Sequence, residues 1–122
     1  MEQYTINLEA KFAHLEHIDV GAEAAACTEK WFNQTLTEVN DSVVRLGVAE
    51  GEYHWHRHVE EDEFFLVLDG LLEIDVEDAE PIVLGPQQGV TIPRGVMHRP
   101  RAVGRTVFVM VEPATIAPIG TS

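Results

Sequence analysis

The sequence predicts a small all-β domain, a barrel or a sandwich, and three observations carry that expectation. From Trp31 onward the chain falls into about eight short runs rich in β-branched and aromatic residues. Turn-forming residues separate them: Asn40-Asp41, Asp69-Gly70, Gly85-Pro86, Pro93-Arg94-Gly95 and Gly104. At 122 residues and 45% hydrophobic content, residues 1–122 suit one domain with a single core and leave no room for a second.

The elements follow in order. In "NLEAKFAHLEH", Leu8, Phe12 and Leu15 stand at helical spacing behind Asn7 as an N-cap, which predicts one short N-terminal helix. The strands are then "WFNQTLTEV", "SVVRLGV", "YHWHRH", "EFFLVL", "LLEIDVE", "PIVLG", "GVTIP" and "TVFVMVE". The tail "APIGTS" carries neither pattern and is expected to be loosely held.

Composition excludes some functions. Eight basic residues against 21 acidic ones give a formal charge of -13, which repels a phosphate backbone or an anionic lipid surface, so neither nucleic acid nor membrane is expected as a partner. The single cysteine, Cys27, cannot close an internal disulfide and suits a reducing compartment. No leader pattern opens the sequence and no apolar run approaches the roughly 20 residues of a membrane span, so a cytoplasmic location is expected.

The stretch "HWHRHVEEDE" concentrates the chemistry. On a strand, His54, His56 and His58 face one way while Tyr53, Trp55 and Arg57 face the other. Two neighbouring imidazoles on one face can share an ion, and a third from the same strand reaches it less easily. Glu63 has the wrong parity for a continuous strand, so the chain must turn within "VEED" before Glu63 opens the next one. Glu60, Glu61 and Asp62 are then solvated turn residues. Histidines alternating in an apolar strand, with a carboxylate at the return position, favour a metal-ligand set over surface ion pairs.

Further on, "PRGVMHRP" sets Pro93 and Gly95 in a tight turn ahead of His98. Together the two stretches resemble the cupin family, whose first motif reads His-x-His, three or four residues, Glu, six residues, Gly. His56, His58, Glu63 and Gly70 keep that spacing. The second motif ends Pro-x-Gly-x-x-His, matched by Pro93, Gly95 and His98. The resemblance covers roughly residues 40–112, and the whole chain looks like the small single-domain cupins often described as similar to mannose-6-phosphate isomerase. It implies an antiparallel jelly-roll barrel in which His56, His58, Glu63 and His98 bind one divalent metal ion. Gly51 stands one residue closer to the first ligand than the pattern has it, and Gln87 and Ala102 replace its Gly and Asn. His54 lies ahead of the aligned pair and is read as lining the pocket beside the ligands, where it is the candidate for catalytic proton transfer.

Three imidazoles and one carboxylate leave a six-coordinate ion about two open positions, the mark of a site that takes substrate or water rather than one that braces a fold. The donor set suits iron, manganese, nickel, cobalt, copper or zinc. Phe65 and Val67 share the face of Glu63 and should line the barrel, giving a mostly apolar cavity with a polar floor for a small-molecule ligand. Arg94, Arg99, Arg101 and Arg105 gather near His98. If "HRPRA" is extended, Arg99 and Arg101 point outward, and pairing with surface acids is favoured over a clamp on an anionic substrate. The face of Arg45 is undecided, and His14 and His17 are read as surface residues. Phe64, Leu66 and Leu68 face outward and need a cover, from the helix or from a second subunit; small cupins of this kind are commonly homodimers, which makes a homodimer the expectation. The function expected is a small metalloenzyme acting on a small polar molecule by isomerase, dioxygenase, lyase or cyclase chemistry, with non-catalytic metal or ligand sensing as the alternative.

Overall fold

The computed structural model describes residues 4–122. The elements are β1 (Thr5–Asn7), α1 (Val20–Ala26), β2 (Trp31–Val39), β3 (Ser42–Glu52), β4 (Glu63–Asp69), β5 (Leu72–Val76), β6 (Ile82–Leu84), β7 (Gly89–Ile92) and β8 (His98–Pro113). The strand order runs β1-β2-β3-β8-β4-β7, with β5 pairing both β6 and β8. All pairs are antiparallel except β1 with β2.

β8 closes the barrel because it is long enough to serve both ends. Its second half lies between β3 and β4, from Thr106↔Ala49 to Pro113↔Ser42 on one side and Val107↔Asp69 to Val111↔Phe64 on the other. Its first half pairs with β5, from His98↔Val76 to Ala102↔Leu72. Between the halves Gly104 turns the strand at φ 74°, a conformation that costs a side-chain-bearing residue about 1 kcal/mol or more. Alternation holds on both sides of that kink: His98, Pro100, Ala102, Thr106, Phe108, Met110 and Glu112 are buried. This is the jelly-roll barrel that the sequence implies, with its core of Phe65, Val67, Leu72, Ile74, Phe108 and Met110 inside.

The expected helix is misplaced. "NLEAKFAHLEH" does not form one: Asn7 bonds Gln34 rather than capping, and Lys11 and Phe12 donate their N–H groups to the Thr35 and Leu36 carbonyls of β2. The edge of β2 offers free carbonyls, and satisfying them outweighs a marginal amphipathic repeat. Phe12 packs against the sheet, while Leu15 is fully exposed at φ 73°. The helix lies at Val20–Ala26, where Asp19 caps it by accepting from Ala22 N–H at 3.0 Å. At the other end Arg105 Nη2 donates to the Ala24 and Cys27 carbonyls at 2.7 and 3.0 Å. Ala24 is thereby held over Leu36, Leu46 and Val48, a second core on the outer face of β2 and β3.

The strand count matches the expectation, but its membership does not. "YHWHRH" is irregular, with only His56 and Arg57 in isolated bridges, and the eighth strand is β1. At Gln87, where the cupin pattern has Gly, the chain keeps the left-handed conformation at φ 68°, and Gln87 N–H donates to Val67 O at 2.8 Å.

Candidate metal centre

Three hydrogen bonds bring the two histidine-bearing stretches together. His56 N–H donates to His98 O at 2.9 Å and His98 N–H returns to His56 O at 2.8 Å, so these histidines face each other across a two-residue ladder. Gly95 N–H donates to His58 O at 2.8 Å, tying the Pro93-Arg94-Gly95 turn to the first stretch. Gly95 sits at φ 81° with open space where a Cβ would be, so its glycine serves the backbone conformation and not a close approach. The turn at "VEED" is also held: Asp62 Oδ1 accepts from Arg94 N–H at 2.9 Å, and Glu61 accepts from Thr115. Only Glu60 of the three acids is the purely solvated residue expected.

His56, His58, Glu63 and His98 are all buried, at 1–5% exposure, and one donor atom from each lies within 4.8 Å of the others. His56 Nδ1 is 3.0 Å from His54 O, and His98 Nδ1 is 2.9 Å from Val96 O. A carbonyl can only accept, so both Nδ1 atoms carry the proton and both Nε2 atoms are bare lone pairs. Glu63 Oε1 lies 3.5 Å from His58 Nε2 and 3.4 Å from His98 Nε2, and none of these three buried atoms has a hydrogen-bond partner. Lone pairs facing a carboxylate oxygen in a dry site ask for a cation. Neutral imidazole and carboxylate donors at this spacing fit a divalent ion roughly 2.1 Å from each ligand. Burial, and then the neighbouring His98, lower the His56 pKa to about 4, which keeps that ring neutral and ready to ligate. Burial alone would push the Glu63 carboxyl up, but the adjacent His58 and His98 rings and Glu112 outweigh it and hold the carboxyl below the usual range.

His54 stands apart from these four. Its Nε2 is 2.7 Å from Ile119 O, its Nδ1 is 3.2 Å from Tyr4 Oη, and its ring stacks on Tyr53 with centroids 4.3 Å apart. Irregular backbone at residues 53–55 is what turns it out of the set, so strand parity does not apply here.

The tail is not loose, contrary to the sequence expectation. Thr121 and Arg57 exchange backbone hydrogen bonds at 2.8 and 2.9 Å, Ile119 O meets His54, and Pro118 O accepts from Tyr53 Oη at 3.2 Å. Backbone pairing, invisible to a search for apolar periodicity, holds it. Gly120, at φ 66°, rests on His56: an added Cβ would lie 2.6 Å from His56 Cδ2 and 2.8 Å from Arg57 O. Gly120→Ala is expected to lift the tail or tilt the His56 ring. It should cost about 1–3 kcal/mol and weaken metal binding, read by thermal midpoint and metal titration.

Two inward residues carry a second buried element that sequence reading left unassigned. Arg45 Nη1 donates to Glu112 Oε2 at 2.8 Å and Nε donates to Thr35 Oγ1 at 3.0 Å, with both charged side chains at or below 3% exposure. Glu112 lies one register step beyond the Phe64↔Val111 pair, which sets it opposite Glu63. Burial, and then the adjacent Glu63 carboxylate, push the Glu112 pKa up, and its Oε1 has no hydrogen-bond partner. Hydropathy gives no signal for such a pair; the alternation of "TVFVMVE", with Glu112 on the face of Phe108 and Met110, does.

Beside the four residues opens a cavity of about 50 Å³ whose lining includes His56, Glu63, Phe65, Trp31, Tyr53 and Phe108. Phe65 lines it as expected, while Val67 is closed core. The arginines near His98 stay outside it. Arg99 and Arg101 hold Asp75 at 2.7–3.0 Å, Arg101 also holds Glu73, and Arg99 lies over the Trp55 ring.

Comparison with known proteins agrees with this geometry. The cupin domain family Cupin_2 matches residues 42–112. The uncharacterized protein YdbB of Bacillus subtilis is 49% identical over 84 residues, 69% of this chain and 74% of YdbB. The crystal structure of a cupin-2 domain containing protein from Shewanella frigidimarina superposes with a TM-score of 0.75 at 32% identity, covering 79% of this chain and 93% of that one. Protein NMB1881 of Neisseria meningitidis shares the fold at a TM-score of 0.73 and 24% identity, over 80% of this chain and 99% of its own. A family match over more than half the sequence, a near relative and a shared barrel lead to one conclusion: the chain belongs to the cupin family.

Proposed function

We propose that His56, His58, Glu63 and His98 bind one divalent metal ion per chain, and that the protein is a small metalloenzyme acting on a small polar molecule in the barrel. The observation that carries this is the convergence of three buried, partnerless ligand atoms on one point, with the Nδ1 protons of His56 and His98 already committed to carbonyls. When bound, the ion would supply Lewis acidity or activate a small ligand, and isomerase, dioxygenase, lyase and cyclase chemistry all fit that role. The residues here fix the ligand rings, exclude bulk water from the floor and set the Arg45–Glu112 pair beside Glu63. His54, with both ring nitrogens near oxygen partners, remains the nearest additional proton carrier.

The test is metal analysis of protein purified without added metal, followed by turnover assays on small keto acids, diketones, flavonols and sugar phosphates, with and without oxygen. About one equivalent of metal together with turnover is the expected result. Less than about half an equivalent would remove the metal reading, and tight ligand binding with no turnover on any of these would favour sensing instead.

A homodimer and a cytoplasmic setting belong to the same reading. The helix covers Leu36, Leu46 and Val48, not the outer face of β4 and the adjoining β8, where Phe64 and Leu66 are half-buried and Leu68 and Val111 are 39% and 40% exposed. A second copy laid on that face would cover them. Light scattering is expected to give twice the chain mass for the wild type and the single mass for Leu66→Glu; a wild-type monomer would refute the dimer. Cys27 is a free thiol, as a reducing compartment keeps it. Among the described residues no helix is long and apolar enough to cross a membrane.

A further inference from the structure

We propose that the cavity beside Glu63 takes an uncharged molecule, at most a single ring in size, that presents hydroxyl or carbonyl oxygen, and that it selects against sugar phosphates and keto acids. This deepens the metalloenzyme reading and rests on it for the chemistry, but the choice of ligand comes from the walls.

All eight basic residues lie among the described residues, and none lines the cavity. Arg45 is committed to Glu112, Arg99 and Arg101 to Asp75, Arg105 to the helix carbonyls and Lys11 to Glu23. The side chain of Lys30 lies near Gly51, and Arg57 and Arg94 are exposed outside the cavity. A phosphate, or a carboxylate beyond the reach of the metal, needs a guanidinium, an ammonium or a helix N-terminus, and the described lining supplies none. The overall charge of -13 repels such a group further.

Trp31 and Asn33 stand two apart on β2, hence on one face, and both line the cavity. Trp31 is 6% exposed, yet its Nε1 has no hydrogen-bond partner, and the buried Oδ1 of Asn33 has none either. A buried indole N–H ordinarily finds an acceptor. One unused donor and one unused acceptor on the same face of β2 suit a group offering both, such as a hydroxyl or an enol beside a carbonyl.

Aromatic rings form much of the remaining lining. Tyr53 lies 5.0 Å from the Trp31 ring centroid and 4.3 Å from that of Tyr4, and Phe65 lies 5.9 Å from Phe108. These rings offer flat apolar walls on which a planar ligand stacks. The volume of about 50 Å³ leaves no space for a nucleotide or a disaccharide.

Catechol, benzoate and glycerol phosphate serve as probes, titrated into the protein as purified and after metal removal by a chelator, with metal content measured on each sample. Nuclear magnetic resonance follows the two indole N–H signals, assigned with Trp31→Phe. Catechol is expected to move the Trp31 signal and to bind about tenfold or more tighter than either anion in both samples. Asn33→Ala and Trp31→Phe should each weaken catechol about fivefold or more. Binding of benzoate or glycerol phosphate as tight as catechol would overturn the proposal. So would catechol binding that disappears with the metal or ignores Asn33→Ala, since the metal and not the wall would then be the receptor. A chain that holds no metal but binds catechol through Trp31 removes the metalloenzyme reading and keeps this one.

Discussion

Replacing His98 by alanine is expected to take the protein from about one equivalent of bound metal to less than about a tenth, and to abolish any metal-dependent turnover. The prediction is strong because of where the side chain sits. His98 is 1% exposed, its Nδ1 is fixed by Val96 O, and its Nε2 faces Glu63 with nothing else to do. Removing a residue that merely orients a ligand commonly weakens metal binding by about 10- to 100-fold, so removing a ligand should exceed that. Alanine keeps the backbone exchange with His56, so β8 should still form. A second readout separates loss of the site from loss of the fold. Metal present at about a hundred times its dissociation constant stabilises the wild type by about 2.7 kcal/mol, whereas the midpoint of the variant should ignore added metal. His14→Ala and His17→Ala, at exposed positions, should keep both behaviours. Retention of wild-type metal by His98→Ala would refute the assignment.

What the sequence made legible divides along physical lines. Strands of β-rich composition were readable: β2 and β4 fall where "WFNQTLTEV" and "EFFLVL" place them, β4 alternates in burial, and β8 does so along its length apart from the kink. Glu63, Phe65 and Val67 share a buried face because alternation is a local property of extended chain. The four converging residues were legible only as a spaced motif, since His98 reaches His56 through a ladder that no local pattern encodes. Elements held by backbone partners far along the chain were lost: the stretch at Lys11–Phe12 borrows carbonyls from β2, and the tail borrows them from Arg57. Helical spacing at Leu8, Phe12 and Leu15 misled because an isolated helix of that length is marginal in water, while a sheet edge satisfies the same groups at once. The helix that does form had its own signal, Asp19 ahead of an alanine-rich run. Arg45 was undecidable because β3 is buried on both faces, inward by the barrel core and outward by α1, so parity could not tell one side from the other.

Arg45→Met is expected to destabilise the protein by about 3–5 kcal/mol, a large share of the roughly 5–15 kcal/mol by which domains are stable. The guanidinium is at 3% exposure and is the one cation beside two buried carboxyls among the described residues, bonded to Glu112 at 2.8 Å and to Thr35 at 3.0 Å. Its loss leaves Glu63 without a balancing charge in the metal-free protein and leaves Glu112 and Thr35 with unmet hydrogen bonds, and desolvation makes each of these costly. Glu112→Gln should behave differently. The raised Glu112 pKa favours the neutral acid, which glutamine mimics while its oxygen still accepts from Arg45, so a change of less than about 1 kcal/mol is expected. Arg45→Met combined with Glu112→Leu removes the polar pair altogether and should recover part of the single-variant loss, because a packed apolar pair of similar volume is often no worse than a buried ion pair. Chemical denaturation of the three variants under excess chelator checks all of this. If Glu112→Gln costs as much as Arg45→Met, Glu112 is ionised in the folded protein. The balance at the barrel floor would then require two positive charges, one from Arg45 and one from a bound cation, rather than a proton held between carboxyls.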